Sequence, residues 1–310
     1  MREAKVRRET TTITAPSRTV ETYVVRRLED RDAILRLLEA RPAYTAYALG
    51  QLEPRLFPLS QWWLAEGDGG RALLLHSRGG LGNALLALGD AAPLRALMSL
   101  HPGPRNVFAT CQAEHLGVIR RFFHLSQEQP MLRMKVTAAT FRPPQGEAQR
   151  LRGRDARAMN RLYGAEGAIA SYTARQVDGG VYFGAFVDTR LVAVAGTHAV
   201  SAAHGVAVVG NVYTHPRYRG RGLGALVTGA VTAALVETCP LVVLSVDPRN
   251  LAAVHAYQRL GYEEECRLIE AAATRRDILG LGSALRRLAA ALRGRRDGGA
   301  LVRLQGGDLG

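Results

Sequence analysis

The chain of 310 residues is long enough for two domains of ordinary size, and its 47% hydrophobic and 22% charged content excludes a disordered or fibrous protein. The net charge of +14 comes almost wholly from arginine, since lysine occurs only at Lys5 and Lys135. Because the arginines are spread over the whole chain without interleaved aromatic residues, they indicate genomic base composition, and we expect no nucleic-acid partner.

The first half of the chain alternates strand and helix patterns. Residues 1–22 are polar and predict a flexible arm, and residues 23–141 form a first block that ends at a proline- and glycine-bearing linker, residues 142–146. Apolar periodicity and turn residues predict strand 23–28, helix 30–40 ended by Pro42, a hairpin of 71–76 and 83–88, helix 93–100, strand 106–110, helix 114–124 and strand 131–136.

A second block, residues 147–270, repeats a similar order of elements. The pattern predicts strand 148–151, helix 155–163, a hairpin of 181–187 and 191–196, strand 206–214, helix 222–237, strand 241–246, helix 250–260 and strand 262–269. This order, β-α-β-β-β-α-β-α-β, predicts an α/β (α+β) fold, and the two blocks fit copies of one fold.

The last segment, residues 271–310, is basic and tail-like. Apolar residues recur at intervals of three and four from Ile278 to Leu292 with arginines between them, which is typical of an amphipathic helix. Gly280 and Gly282 weaken a helix. We expect either a disordered tail or an amphipathic helix on the domain surface.

The compartment follows from three negative observations. The basic, polar amino-terminal residues lead into a threonine-rich run, which is not the pattern of a signal peptide. No apolar run approaches the ~18 residues that a membrane-spanning helix needs. The three cysteines, at positions 111, 239 and 266, are far apart and lack metal-ligand spacing. We therefore predict a cytoplasmic protein with no stable membrane insertion, no disulfide framework and no metal site.

The most informative segment joins strand 206–214 to helix 222–237. Glycines at 220, 222 and 224 allow several backbone N–H groups to converge at the start of the helix. There they and the helix dipole can hold an anion, most plausibly a phosphate.

A glycine-rich segment of this kind has three other interpretations. A P-loop is excluded, because that loop needs a lysine that this segment lacks. The dinucleotide fingerprint stays open, since Gly220-x-Gly222-x-x-Ala225 fits it and Asp247 ends the next strand. Residues 215–219 disfavour it, because they separate the first glycine from its strand, and that strand lies in an antiparallel meander. A glycine-rich turn that binds nothing also stays open.

A second segment, residues 244–262, decides between them. It predicts a strand, then Asn250 at a helix N-cap, then Tyr257 two turns later on the same helix face. Together with Arg219-x-x-Gly222-x-Gly224, it resembles the GCN5-related N-acetyltransferases (GNAT) over residues 147–270. The resemblance implies the GNAT fold, a mixed, mostly antiparallel central sheet flanked by helices, in two tandem copies. The first copy is degenerate, since it lacks the glycine loop.

The resemblance also implies the ligand and the site. The cosubstrate would be acetyl-CoA, with no metal, and its pantetheine would lie along the strand before the glycine loop, which would bind the pyrophosphate. Tyr257 would protonate the departing thiolate, a role that suits a phenol of pKa ~10. The cofactor-binding residues so implied are Val212, Tyr213, Thr214, Arg219, Gly220, Arg221, Gly222, Leu223, Gly224 and Asn250.

The general base is not predicted. Many relatives place a glutamate on the strand before the loop, where this chain has Asn211, which cannot accept a proton. His198 and Ser245 are weaker candidates. Two functions stay open: an N-acetyltransferase acting on the primary amine of a small molecule, amino acid or peptide, or a non-catalytic acyl-CoA-binding sensor or scaffold. Tyr257 favours the enzyme, because a pure binder needs no proton donor.

Overall fold

The computed structural model describes residues 20–78, 82–167, 171–277, 279–292, 295–296 and 298–305. Most of the predicted flexible arm, residues 1–19, lies outside this part, as do residues 79–81 of the predicted hairpin turn and Ile278. Residues 20–22 belong to the first strand and not to an arm.

The first half of the chain follows the strand–helix order that its sequence predicts. Its strands and helices are β1 (Val20–Leu28), α1 (Arg31–Leu38), α2 (Pro42–Gly50), β2 (Ser60–Gly67), β3 (Gly70–Ser77), β4 (Ala84–Gly89), α3 (Ala91–Leu100), β5 (Asn106–Cys111), α4 (Leu116–Phe122) and β6 (Phe123–Val136). The predicted hairpin is confirmed, since β3 and β4 pair antiparallel from Ala72–Gly89 to Ser77–Ala84.

Two elements of the first half were not predicted. Pro42, expected only to end a helix, starts a second one, because at the first helical position its missing N–H leaves no hydrogen bond unmade. Strand β2 contains the buried Trp62, but its apolar run is too short to stand out in the sequence.

The second half repeats the element order of the first. It contains β7 (Gln149–Arg150), α5 (Ala156–Tyr163), α6 (Ala174–Asp178), β8 (Phe183–Val187), β9 (Arg190–Ser201), β10 (Val206–Thr214), α7 (Leu223–Val236), β11 (Leu241–Val246), α8 (Leu251–Arg259) and β12 (Glu263–Arg275). In both halves the fourth and fifth strands pair parallel, β4 with β5 and β10 with β11. This repetition is what a tandem arrangement requires.

The two halves share one sheet and exchange their last strands. After the first half's β5 comes β12 of the second half, then β6 of the first half, and then β11, which begins the second half's strands. β12 pairs antiparallel with β5 from Ile269–Cys111 to Thr274–Asn106, and it continues to Arg275, past the domain boundary expected at residue 270. The halves are therefore joined by backbone hydrogen bonds and not only by a linker.

The carboxy-terminal segment returns to the first half. It contains α9 (Leu281–Leu292), β13 (Arg295–Arg296) and β14 (Gly299–Gln305), and β14 pairs antiparallel with β1. The disordered-tail alternative is wrong for β14, because this strand pairs along the edge of β1 and buries Val302 in the first half's core. The amphipathic helix is present as α9, but it buries Ser283 and Ala290 and exposes its leucines, 66% at Leu285.

Helices cover both faces of the second half's strands. Helix α7 packs on β8, β9 and β10, whereas α2 of the first half packs across β9, β10 and β11 on the other face. At the α2 contact a Cβ on Gly50 would lie 2.8 Å from the Ala199 Cβ, so the helix approaches the sheet closely. All three cysteines are free thiols. Within the described residues, no helix has the length and apolarity needed to span a membrane.

Candidate active site

The parallel strands β10 and β11 separate in the middle of the sheet. They pair from Val206–Leu241 to Val209–Leu244, and the next residues of β10 form a bulge between Gly210 and Tyr213. Within this bulge Asn211 adopts a left-handed conformation, with φ 54°, which is uncommon for a residue other than glycine. The bulge directs β10 away from β11 and leaves a gap between them.

A cavity of about 480 Å³ occupies this gap and extends under the first half of the chain. Its walls come from β10, β11 and α8 of the second half, from β6 and β12, and from α2, β4 and β5 of the first half. Among the lining residues are Tyr47, Asn83, Phe108, Arg133, Tyr163, His198, Asn211, Val212, Ser245, Asp247, Asn250, Tyr257 and Glu270. The site is therefore built by both halves.

The glycine loop lies beside the cavity at the end of β10. Gly220 and Gly222 have φ of +76° and +75°, the left-handed region that favours glycine, and a Cβ on either would meet nothing within 4 Å. Gly222 is the N-cap of α7, and no side chain caps this helix. The backbone N–H groups of Leu223 and Gly224, in the first turn, thus lie at an open helix N-terminus that favours an anion.

The loop arginines already have partners within the protein. Arg219 forms an ion pair with Glu166, donates to the Thr214 carbonyl at 3.1 Å and lies over the Tyr213 ring. The pKa of Glu166 lies below its usual range, because it accepts a hydrogen bond from the Tyr213 hydroxyl and another from Arg219. Glu166 was not anticipated from the sequence.

Arg221 lies over the ring of Tyr218. Since Arg219 and Arg221 are both engaged in side-chain contacts, the backbone of the loop is the better anion site.

Asn250 and Tyr257 lie on α8 and line the cavity, as expected from their spacing. Asn250 caps the helix, its side chain accepting from the Ala253 N–H at 3.2 Å. Tyr257 is 8% exposed, and burial raises the pKa of its hydroxyl to about 12. No hydrogen bond from the rest of the described chain engages this hydroxyl, so it remains a protonated donor facing the cavity at neutral pH.

The comparison with known proteins agrees with this geometry. Residues 150–262 match the sequence profile of the Acetyltransferase (GNAT) family.

This part of the chain belongs to the GNAT family.

Solved structures show the same fold over more of the chain. A Drosophila protein is 16% identical, with a TM-score of 0.60 over 80% of this chain and 98% of its own. A GCN5-related N-acetyltransferase from Kribbella flavida is 21% identical, with a TM-score of 0.53 over 75% of this chain and 95% of its own.

A GCN5-related N-acetyltransferase-like protein from Streptococcus suis is 13% identical, with a TM-score of 0.51 over 79% of this chain and 98% of its own. No curated protein sequence matches the chain significantly. The mixed, mostly antiparallel GNAT fold predicted from the sequence is confirmed.

The residues predicted to bind the cofactor, together with the predicted catalytic Tyr257, fall into two groups. Val212, Asn250 and Tyr257 line the cavity. Tyr213, Thr214 and the loop residues Arg219, Gly220, Arg221, Gly222, Leu223 and Gly224 do not line it and lie at the adjoining end of β10 and start of α7. A ligand with a phosphate end and a reactive end would reach from the second group to the first.

His198, a candidate base, lies against the β10 bulge. A Cβ on Gly210 would lie 1.9 Å from the His198 Nε2, so glycine is needed for the imidazole to pack there. Burial, and secondarily the charge of Arg133, lowers the pKa of His198 to about 4. The imidazole is therefore neutral at pH 7 but is a weak base.

Glu270 was missed by the sequence analysis. It lies on β12 and lines the cavity together with Ser245, the first residue of β11 beyond its last pair with β10. Burial raises the pKa of its carboxyl more than Arg133 and Ser245 lower it. The sequence held no signal for it, because only the exchange of β12 into the middle of the sheet brings this glutamate to the gap.

Proposed function

We propose that this protein is an acetyl-CoA-dependent N-acetyltransferase that modifies the primary amine of a small molecule, an amino acid or a peptide. One observation carries the proposal: the GNAT-family segment contains a gap between parallel strands that holds the free Tyr257 hydroxyl beside an uncapped helix N-terminus. GNAT acetyltransferases act on amine acceptors, which is the reaction that these groups suit.

Acetyl-CoA would bind along the second half of the site. Beyond Val209 the edge of β10 no longer pairs with β11, so backbone groups on this edge from Val212 to Thr214 would meet the pantetheine amides, apart from the Thr214 carbonyl, which Arg219 engages. The loop N–H groups of residues 219–224 would bind the pyrophosphate. Asn250, at the cavity wall, would contact the cofactor with the amide group that capping leaves free.

The chemistry requires a polarised carbonyl, a proton donor and a proton acceptor. A backbone N–H at the β10 bulge would stabilise the oxyanion that forms on the acetyl carbonyl. Tyr257, with its pKa near 12, would protonate the departing sulfur. Of the two candidate acceptors, Glu270 suits an amine better than His198, because the pKa of Glu270 is raised and that of His198 is lowered to about 4.

A non-catalytic acyl-CoA-binding role is the alternative. It was suggested by the lack of a carboxylate on the strand before the loop, where Asn211 stands. The presence of Glu270 in the same cavity weakens that argument, since a carboxylate reaches the gap from β12.

Calorimetric titration with acetyl-CoA, with NAD in parallel, tests the cofactor. We expect binding of acetyl-CoA alone in the micromolar range, which corresponds to about −8 kcal/mol. Binding of NAD alone would indicate that the glycine loop is a dinucleotide-binding loop instead. Release of free thiol from acetyl-CoA on addition of an amine then separates the enzyme from the binder, because only the enzyme releases it.

A further inference from the structure

Arg133 is a buried cation that faces the cavity. It lies on β6, where its neighbours across the sheet are Ser245 on β11 and Cys266 on β12, and it is 3% exposed. Its Nε is buried without a hydrogen-bond partner. Among the described residues, no hydrogen bond and no ion pair within 4.0 Å engages its guanidinium.

An unpaired buried guanidinium is costly for the folded protein. Arginine keeps its charge at all ordinary pH values, so it does not escape the cost of burial by losing a proton. Its neighbours do not neutralise it: the Tyr44 hydroxyl donates to the Ala87 carbonyl at 2.6 Å, and burial raises the pKa of the Cys266 thiol, which stays neutral. An anionic group of a ligand would supply the missing partner.

Glu270 is the complementary charge in the same cavity. Arg133 and Glu270 influence each other electrostatically, yet they do not form an ion pair within 4.0 Å. Asp247 also lines the cavity, but it is already bonded by Arg249 at 2.8 Å and by Gln129 at 2.5 Å. Glu270 therefore remains as the anion available to a ligand, and it lines the cavity together with Ser245 at the start of the gap.

We infer that the acceptor is a zwitterionic amine, of the amino-acid class, whose carboxylate binds Arg133 while its amine lies at Glu270. The inference rests on the proposed acetyltransferase function and specifies its substrate. Two opposite charges in one cavity, apart from each other and both short of partners, match a small molecule that carries both charges. A neutral or purely cationic amine would leave Arg133 unpaired.

The proton balance of the reaction gives Glu270 a second task. The ammonium of the acceptor gives one proton to Glu270, and the neutral nitrogen forms the C–N bond to the acetyl carbon. The C–S bond breaks, the thiolate takes the Tyr257 proton, and the second proton of the nitrogen restores the phenol. Glu270 then returns its proton to water, so that the net products are the amide, the thiol and one proton.

The carboxylate at Arg133 has one other possible source, a dicarboxylic acyl group on the donor. Glu270 argues against it, because a second carboxylate would then enter beside an anion with no ammonium to separate them. A succinyl-CoA arm in the experiment distinguishes the two sources.

The experiment measures thiol release from acetyl-CoA by the full chain with matched acceptors: the protein amino acids, their carboxamides and their decarboxylated amines. We expect at least one amino acid to exceed both its matched derivatives by ~100-fold in kcat/KM. Equal rates within every matched set, with thiol release observed, would overturn the inference while leaving the transferase intact. No release with any amine overturns the proposed function and this inference with it. A preference for succinyl-CoA that depends on Arg133 also overturns it.

Variants locate the effect. Arg133→Met should raise KM for the amino acid ~100-fold, narrow its advantage over the decarboxylated amine, and leave the melting temperature unchanged or higher, because an unpaired buried charge is removed. Arg150, which donates to the Gly180 carbonyl and does not line the cavity, gives the matched control Arg150→Met, with KM unchanged. If Arg133→Met fails to fold while the wild-type protein keeps its preference for the amino acid over the matched derivatives, Arg133 has a structural role.

The pH profile tests Glu270 separately. The groups that face its carboxyl are Arg133 on β6 and Ser245 on β11. Activity should rise with pH as Glu270 loses its proton, with a midpoint above that of an ordinary glutamate, and Glu270→Gln should remove this limb and lower kcat. An unchanged limb in Glu270→Gln would show that another group takes the proton.

Discussion

The two halves of the chain have the same element order but differ at one turn. In the first half β4 passes into α3 through Asp90 alone, whereas eight residues, 215–222, separate β10 from α7 in the second half. A Cβ on Gly89 would lie 2.2 Å from the Arg71 carbonyl oxygen, while a Cβ on Gly222 would meet nothing within 4 Å. Both glycines have positive φ, but one is enclosed and the other is open.

The enclosed turn also carries the wrong charge for an anion. The Asp90 carboxylate accepts from the Arg71 N–H at 3.0 Å and stands at the start of α3, where a phosphate would otherwise bind. The helix that follows differs as well: α4 contains no tyrosine, whereas α8 carries Tyr257. The difference shows that the second half keeps an open glycine loop and Tyr257, whereas the first half supplies cavity walls such as Tyr47 and Phe108.

Removal of the Tyr257 hydroxyl, the proposed proton donor, should have the largest effect on turnover. The helix α8 would then lack a tyrosine hydroxyl, as α4 of the first half does. For Tyr257→Phe we expect kcat to fall on the order of 10³-fold, with the Kd for acetyl-CoA little changed. Steady-state kinetics and calorimetry measure the two quantities.

The matched control is Tyr262→Phe, whose hydroxyl bonds Thr232 at 2.8 Å within the core. This variant should lose about 1 kcal/mol of stability and keep its turnover. Equal losses of binding and turnover in Tyr257→Phe would instead assign that tyrosine to packing.

Distortion of the open glycine loop should have the second largest effect. Gly222→Val places a β-branched residue at φ +75° and distorts the turn that presents the N–H groups. We expect acetyl-CoA affinity to fall about 100-fold, or ~2.7 kcal/mol, by calorimetry. Gly298, with the same φ of +75° and open surroundings between β13 and β14, provides the control Gly298→Val. Similar affinity loss in both variants would point to general destabilisation.

A substitution in the enclosed turn at Gly89 should lower the stability of the protein but leave its affinity for acetyl-CoA unchanged. Gly89→Ala combines φ +99° with a Cβ 2.2 Å from a carbonyl oxygen, so we expect a loss of ~3 kcal/mol in urea unfolding. Gly222→Ala, strained only in its backbone, should lose ~1–2 kcal/mol. Equal stability of the two alanine variants would show that the two turns differ in their residues but not in the room that they leave for a Cβ.

The smallest effect is expected at the loop arginine. Arg219 is half-exposed and paired with Glu166, so Arg219→Gln should change acetyl-CoA affinity only about threefold, since exposed ion pairs contribute ~0–1 kcal/mol. The control is Arg26→Gln, which removes an exposed pair with Glu66 in the first half. A hundredfold loss for Arg219→Gln would move phosphate recognition from the backbone to this side chain.

The glycine loop and the helix that carries Asn250 and Tyr257 could be placed from the sequence, because their signals are local. A strand, a glycine turn and a helix N-terminus occupy one continuous stretch, and Asn250 and Tyr257 are two turns apart on a single helix. In such segments the spacing along the chain fixes the spacing in the fold. Most strands and helices of the two halves were predicted on the same basis, with the exception of α2, β2 and α6.

The proposed acceptor residues could not be predicted, because they meet only through strand pairing. Arg133 and Glu270 are far apart in sequence and line the same cavity only because β12 enters between β5 and β6. Periodicity reports which face of a strand is apolar, but it does not report which distant strand lies beside it. The pairing of β14 with β1 escaped the sequence analysis for the same reason.

The exchanged strands also determine the order in which the protein can assemble on the ribosome. When β5 and β6 emerge, the strand that belongs between them has not yet been synthesised, so both present unpaired apolar edges. Closure requires contacts between residues 106–111 and 269–274, a long separation that slows folding and favours chaperone capture of the nascent chain. A ribosome-bound chain that stops short of β12 therefore keeps these edges open, and β12 closes both of them before β14 pairs with β1.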